Sequence, residues 1–556
     1  MEKLQFKILF RQFLLRVVDV ELLSAEGDPT KLLGQLITVM VSFSFFISIP
    51  VIFIGGRLPE EPARVLEHFL IATTMLVVGL FAVFSWDSTF PDRRDVLVLA
   101  PLPIRTRTLF VAKLGATGAG LGIAVLSLNG ISGLLWPLFF GPPHGGLLGV
   151  LRAFVAYWLT LLAAAVFVFG GTLMLQGVVS RLPRQMFLRI SGVLQIAAFC
   201  AFVSVYVLEP SLESHAALTA ASNQRLLALL PSYWFLGLFE QLRGTMLPEF
   251  VPLVRRAWLA LALTCGGVVV TVLLSYARAM RRTLEEPDIL PGGYRLPLPM
   301  LMKPVEAAVM QFSVRTMLRS RQHRLILSTY LGVGFGIVLI LLRPALGHAD
   351  RMPLAVLSTS VLMLCATAAA MRAVFSMPIT LKANWLLRVA ALDPVARYAK
   401  AVRRTFLLLA VVPLWMCAAA LMLWLWPWRV AGAHLVLLAL LGSMLCDVCM
   451  LGFHKIPFTC SYQPGKTKMH FALWGIVLMV PFTFVGAGYE WRYLESVKGQ
   501  ILVAGMLVLP AIAMRWWVAR GATGAEAMQF EETEESEIVS LALPVDSVGL
   551  QMRGGT

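Results

Sequence analysis

Charge is what this sequence has least of. Lys, Arg, Asp and Glu together supply 14% of its 556 residues and hydrophobic side chains 58%, whereas a soluble globular domain carries about 25% charged and 45–50% apolar residues. A soluble enzyme is therefore excluded as the starting expectation. Cysteine is scarce and badly placed for a disulfide framework. Of seven, Cys200, Cys265, Cys365, Cys417, Cys446 and Cys449 fall inside apolar runs, and only Cys460 lies in a loop. The 43 Gly and 31 Pro follow no fixed period, which excludes collagen-like and low-complexity chains. A cleavable leader is not expected either, since Lys3, Lys7, Arg11 and Arg16 interrupt the first apolar stretch.

What is abundant is apolar sequence in lengths that cross a bilayer. Runs of about 18 or more residues with few charges number twelve and fall in two groups of six. The first group is Leu32 to Ile54, Phe69 to Trp86, Leu114 to Leu138, Phe154 to Val178, Leu188 to Leu208 and Ala257 to Ala277. The second is Leu325 to Leu342, Leu354 to Phe375, Phe406 to Trp426, Val430 to Phe453, Phe471 to Val485 and Ile501 to Val518. The expected fold class is thus an all-α polytopic membrane protein with about twelve transmembrane helices. The formal charge of +16 points to basic cytoplasmic loops and not to nucleic acid. With the N-terminus inside, inside segments hold 34 basic residues and outside segments 12; Arg372, within a span, completes the 47. Both termini are expected in the cytoplasm, with the chain in the plasma (inner) membrane.

The halves share a plan. Residues 1–31 hold an amphipathic segment in which Phe6, Phe10, Phe13, Val17 and Val20 form one stripe beside Lys3, Lys7 and Arg11. Residues 278–324 form a linker and a second such segment, with Val314, Met317 and Leu318 against Arg315, Arg319, Arg321 and Arg324. Each segment is followed by two spans, a Pro-marked basic loop and four spans, which reads as a duplicated six-span unit over residues 32–277 and 325–518. Between the fifth and sixth spans, residues 209–256 are too apolar for a plain loop, and a Pro-started piece at Pro231 suits a re-entrant or interfacial helix. Residues 519–556 carry Glu531, Glu532, Glu534, Glu535 and Glu537 and read as an acidic cytosolic tail.

Three partial motifs bear on chemistry. Gly130-Ile131-Ser132-Gly133 spells the GxSG of intramembrane serine proteases, with His434 at similar depth, but no spaced glycines follow His434 and small residues also serve helix packing. Cys446, Cys449, Asp447, His454 and Cys460 are metal-type ligands, yet the cysteine pair sits on a spanning helix where packing is the better reading. Asp447 stands out as a carboxylate within a span. Cys460 to Thr467 approaches the phosphate-binding GxxxxGK[ST], but Cys460 replaces the first glycine and Pro464 precedes Gly465. No catalytic residue, metal site or nucleotide site of the chain's own is expected, and the scattered Asn129, Gln176 and Gln195 leave the substrate site unassigned.

The plan resembles the permease subunits of ABC transporters of the type-2 exporter class. In that family a six-span unit opens with an interfacial helix, and the loop after the second span couples to the ATPase. Asp92, Arg93, Asp95, Leu97, Leu99, Pro101 and Pro103, followed by Arg105, Arg107 and Lys113, look like that coupling segment. Pro231 to Gly244 looks like the family's outer re-entrant region. The second-half counterpart is Lys382, Trp385, Arg388 and Asp393. The resemblance implies a non-enzymatic permease that exports an unidentified, apolar or lipid-like substrate, with ATP bound on two separate ABC ATPase subunits per chain and membrane lipid as the other partner. The alternatives are an intramembrane enzyme, rhomboid-like protease or lipid-modifying transferase, and a non-transporting scaffold. The topology has its own test. In a background without native cysteines, a membrane-impermeant thiol reagent added outside should modify a cysteine placed at Ser222 and spare one at Thr106 or Thr467. Labelling at Thr106 would reverse the orientation.

Overall fold

The computed structural model describes residues 2–18, 29–54, 60–85, 104–140, 146–179, 184–285, 303–345, 352–379, 395–451, 483–493 and 496–523, with single positions and one short stretch, 456–459, between them. Every regular element among the described residues is helical. In chain order these are α1 (Glu2–Val18), α2 (Pro29–Ile54), α3 (Glu60–Phe84), α4 (Thr106–Leu128), α5 (Ser132–Phe140), α6 (Gly146–Val179) and α7 (Arg184–Leu208). There follow α8 (His215–Thr219), α9 (Gln224–Leu229), α10 (Pro231–Arg243) and α11 (Val251–Glu285). The rest are α12 (Pro304–Arg319), α13 (Arg321–Leu342), α14 (Met352–Ser376), α15 (Val395–Phe406), α16 (Val412–Leu425), α17 (Trp428–Cys449), α18 (483–493) and α19 (Val497–Thr523).

Helices are the outcome that apolar surroundings demand, because an unpaired backbone amide in hydrocarbon costs several kcal/mol. Among the described residues, eight helices are long and apolar enough to cross a membrane, consistent with an all-α polytopic membrane protein. They fall in the second, third, fourth, sixth, eighth, ninth, tenth and twelfth expected spans. Shorter apolar stretches, Ile37–Ile49, Val193–Leu208 and Ile326–Leu342, occupy the first, fifth and seventh. The eleventh, Phe471 to Val485, lies mostly outside the described residues. The bundle's outer surface is itself apolar. On α19, Ile501, Leu509, Ile512, Trp516 and Trp517 are all exposed, as a lipid-facing helix requires.

The third expected span is corrected by the structure, which breaks it into α4 and α5 around Asn129–Ile131. Asn129 donates to Val125 O (3.1 Å) and to Thr74 Oγ1 (3.1 Å), while Ser44 Oγ on α2 accepts from the backbone N–H of Ile131 (3.2 Å) and Ser132 (3.1 Å). Side chains from neighbouring helices thus supply the partners that a helix end loses. The ninth span has a different irregularity. Leu407–Val411 form a π turn between α15 and α16, two residues before Pro413, whose missing N–H cannot close the ordinary ladder.

Two cores form. The first gathers Leu70, Leu161, Tyr233, Phe235, Leu236 and Phe250 from α3, α6, α10 and the entry to α11. The second gathers Phe375, Phe406, Val411, Leu438 and Cys446 from α14 to α17. They meet where α7 packs on α13. There Gly332 and Gly336 admit Phe199 and Val203: a Cβ on Gly332 would overlap the Phe199 ring, and one on Gly336 would stand 2.9 Å from Val203. Arg343, just past α13, donates to the carbonyls of Val207 (3.0 Å), in the last turn of α7, and Glu209 (2.9 Å), just beyond it, so charge-assisted bonds reinforce the junction.

The amphipathic segments are helices docked on the protein's own bundle. On α1, Leu9 and Phe13 are buried against Leu109, Ala112 and Ala116 of α4, with Phe6 and Phe10 half-buried alongside. Lys3, Lys7 and Arg11 remain exposed. On α12 the buried stripe is Glu306, Val309, Ser313 and Thr316, not the expected line through Val314. Glu306 sets that rotation by pairing with Arg404 of α15. Val314 and Met317 are half-buried on its flank.

Candidate functional site

The predicted coupling segment is described only in part. Asp92, Arg93, Asp95, Leu97, Pro101 and Pro103 lie outside the described residues, as do Lys382, Trp385, Arg388 and Asp393 of the second-half counterpart. Arg107 belongs to α4, but its side chain is outside them too. Leu99 and Ile104 pack against the core shared by α1 and α4. Lys113 is 7% exposed, its ammonium 5.6 Å from the Phe13 ring centroid. Leu102 and Arg105 are exposed. Leu99 and Ile104 thus have a seat inside the chain, on α1 and α4.

The densest polar chemistry lies at the opposite end, around α10. Pro231 begins this helix, and Gly244, at φ +91°, ends it in the left-handed conformation that glycine adopts most readily. Tyr233, Phe235, Leu236 and Leu238 are fully buried between α3, α6 and α11, so the Pro-started segment is a docked helix of this end of the bundle. Carboxylates and cations come in with it. Glu240 faces Arg64 (3.6 Å), Arg243 faces Glu67 (3.4 Å), and His68 lies between Glu209 (3.3 Å) and Glu213 (2.8 Å). Ser232 donates to Glu209. Tyr233 stacks on His68 with ring centroids 4.1 Å apart and donates to Pro210 O (2.6 Å). Burial, then the Glu213 charge, drive the Tyr233 phenol above its ordinary range, so it is a neutral donor. Four glutamates, two arginines and one histidine are each less than a tenth exposed here.

At the α1 end, Asp447 is accounted for. Arg403 grips it bidentately, Nε to Oδ1 at 2.5 Å and Nη2 to Oδ2 at 2.9 Å, and Arg515 approaches at 3.7 Å. The carboxylate therefore ties α15 and α19 to α17. Cys446 and Cys449 direct their thiols to the carbonyls of Arg403 and Ala368, which is helix packing, and the described residues contain no group of three or more His, Cys, Asp or Glu set to hold a metal. His454, Cys460 and the residues to Thr467 lie outside the described set. Near the same end, His323 donates from Nε2 to Met377 O (3.1 Å) and accepts at Nδ1 from Ser320 (2.6 Å). Burial lowers its basicity, against the pull of the Met377 carbonyl.

The serine–histidine pairing considered from sequence is not the one formed. Ser132 is buried with Ser44 (3.3 Å) and Tyr157 (3.0 Å), and Gly133 lets the Tyr157 and Trp158 rings approach. His434 meets Ser360 through Nε2 (2.9 Å) and Glu490 through Nδ1 (2.5 Å). Ser360 and Glu490, like Glu67, His68 and Glu240, carried no local sequence signal, because each acquires its meaning from a partner on another helix. The available signal was coarse: ionisable residues clustering at span starts and in one over-apolar loop.

No protein-family model, curated protein or solved structure matches this chain. Its chemistry must be argued from its own geometry. The α10 cluster makes a direct energetic statement, since removing one partner of a buried ion pair costs about 3–5 kcal/mol. Arg243→Met should therefore lower the thermal unfolding temperature of the purified protein, and adding Glu67→Gln should restore most of the loss. Equal and additive losses from the two changes would show that the pair is not coupled.

Proposed function

We propose that the chain is the membrane permease of an ATP-driven exporter, built from two fused six-span halves and worked by separate ABC ATPase subunits on its cytoplasmic side. One observation carries the reading. In each half an amphipathic helix precedes the first span and packs on the opening turns of the third, α1 on α4 and α12 on α15. Such a helix forms a rigid shelf at the membrane face, and in the first half the loop after the second span rests on it through Leu99 and Ile104. A push on that loop is delivered to α1 and α4 together and from there into the bundle.

A second correspondence supports duplication. His68 lies eight residues after Glu60, where α3 begins, and Ser360 eight after Met352, where α14 begins. His68 meets Glu209 after the fifth span, and Ser360 is linked through His434 to Glu490 after the eleventh. On this reading both termini are cytoplasmic, the α10 end faces outward, and transport is a rocking of the halves about the α7–α13 contact. An apolar or lipid-like cargo suits a bundle whose spans carry few ionisable groups away from their ends. ATP is bound by the partner subunits.

Leu102 on the coupling loop provides the test. It is 47% exposed, and covering it by a docked ATPase should contribute about 1 kcal/mol or more. Leu102→Ser should reduce recovery of an ABC-type ATPase with the permease from native membranes by about fivefold, with thermal stability unchanged. Equal recovery from the variant and the parent protein would remove the loop as a coupling element.

A further inference from the structure

Ser360, His434 and Glu490 come from three separate helices, α14, α17 and α18, and form one hydrogen-bonded row. The carboxylate of Glu490 is 2.5 Å from Nδ1 of His434, and Nε2 of the same ring is 2.9 Å from the Ser360 hydroxyl. His434 is 0% exposed and Glu490 6%, while Ser360 is only half-buried. A buried carboxylate on Nδ1 keeps that nitrogen protonated and leaves Nε2 as the acceptor. A part-buried hydroxyl, a sequestered base aimed at it and an acid holding the base's tautomer are the parts of an activated serine.

We infer that this row is a nucleophilic serine site that takes the acyl group of a lipid-borne carboxylic ester. The lipid class follows from position. Ser360 stands about 12 Å along α14 from its start, and its neighbourhood is walled by Val356, Leu357, Met422 and Ala431. Trp424 and Trp428, 81% and 73% exposed, mark the level of the bilayer interface, and His434 lies six residues, about 9 Å, beyond Trp428 on α17, which puts the row just below the headgroups, within reach of an acyl lipid's ester. Ser360 Oγ adds to the ester carbonyl as its proton passes to His434 Nε2. The carbon–oxygen bond to the alcohol then breaks, and His434 returns the proton to the departing oxygen, leaving acyl-Ser360 and the free alcohol. Water reverses the sequence: its proton goes to His434, its oxygen to the acyl carbon, and Ser360 leaves with the proton while the fatty acid departs. Glu490 stabilises the imidazolium formed in each half.

The resting hydroxyl has a second acceptor, Leu357 O at 2.8 Å, and the backbone N–H groups of its turn are engaged in the helix. Charge developing on the ester oxygen is therefore weakly stabilised and acylation is slow, so covalent capture is the appropriate readout. The inference holds whether or not the chain exports anything. The full-length protein in lipid nanodiscs is incubated with a long-chain alkyl fluorophosphonate and analysed by intact mass and peptide mapping. One adduct on Ser360 is expected, absent from Ser360→Ala, slowed roughly a hundredfold in His434→Gln and in Glu490→Gln, and retained in Ser132→Ala. No adduct on the parent protein, or an adduct mapping elsewhere, overturns the site. Loss of thermal stability in Ser360→Ala with an unlabelled parent would identify the row as a polar clamp between helices. Mapping on the parent protein decides the matter even if Ser360→Ala fails to fold.

Discussion

In a chain with this little charge, each buried ion must find its partner inside the protein, and the pairing of α10 with α3 is where that constraint does most to shape the structure. Arg64 with Glu240 and Arg243 with Glu67 place a 13-residue helix against α3. The aromatic residues on its other faces then fill the space between α6 and α11. Apolar burial supplies most of the favourable energy, but it is indifferent to rotation, and a helix with hydrophobic residues nearly all round could sit in several orientations. The ion pairs select one. His68, placed one residue after Glu67, is thereby brought to Glu209 and Glu213 and beneath the Tyr233 ring.

The same principle recurs at the other end and around the second core. Asp447 is a costly group for a spanning helix until Arg403 and Arg515 converge on it. Glu306 rotates α12 so that it meets Arg404. His434 gathers one residue from each of two neighbouring helices. The polar groups of this bundle are therefore mostly junctions between helices. The junction between the two cores combines both kinds of contact: Gly332 and Gly336 let α13 approach α7 closely enough for Phe199 and Val203 to interlock, and Arg343 adds two directed bonds to the carbonyls of Val207 and Glu209.

Much of this was legible in the sequence, and the boundary is a physical one. Length and apolarity identify spanning helices because hydrocarbon leaves the backbone no other option, and eight of the twelve expected spans coincide with described helices long enough to cross a membrane. The stripe of Phe6, Phe10 and Phe13 was readable because amphipathicity is local. What failed was anything settled by a partner distant in sequence. The break at Asn129 depends on Ser44, 88 residues before Ser132, and the rotation of α12 depends on Arg404, 98 residues after Glu306. His434 was noticed, but its partner Ser360 was not, because nothing local in either span says which helices adjoin. Most of the coupling segment lies outside the described residues, so its assignment still rests on its resemblance to the type-2 exporters.

The central claim is that one chain supplies both halves of a permease. Native mass spectrometry of the complex purified from its own membranes addresses this most directly. The account predicts a particle with one copy of this chain and two ATPase domains. A particle with two copies of the chain per pair of ATPase domains would contradict the fused-halves architecture, and a chain isolated without any ATPase under conditions that preserve other transporter complexes would contradict the transport reading itself.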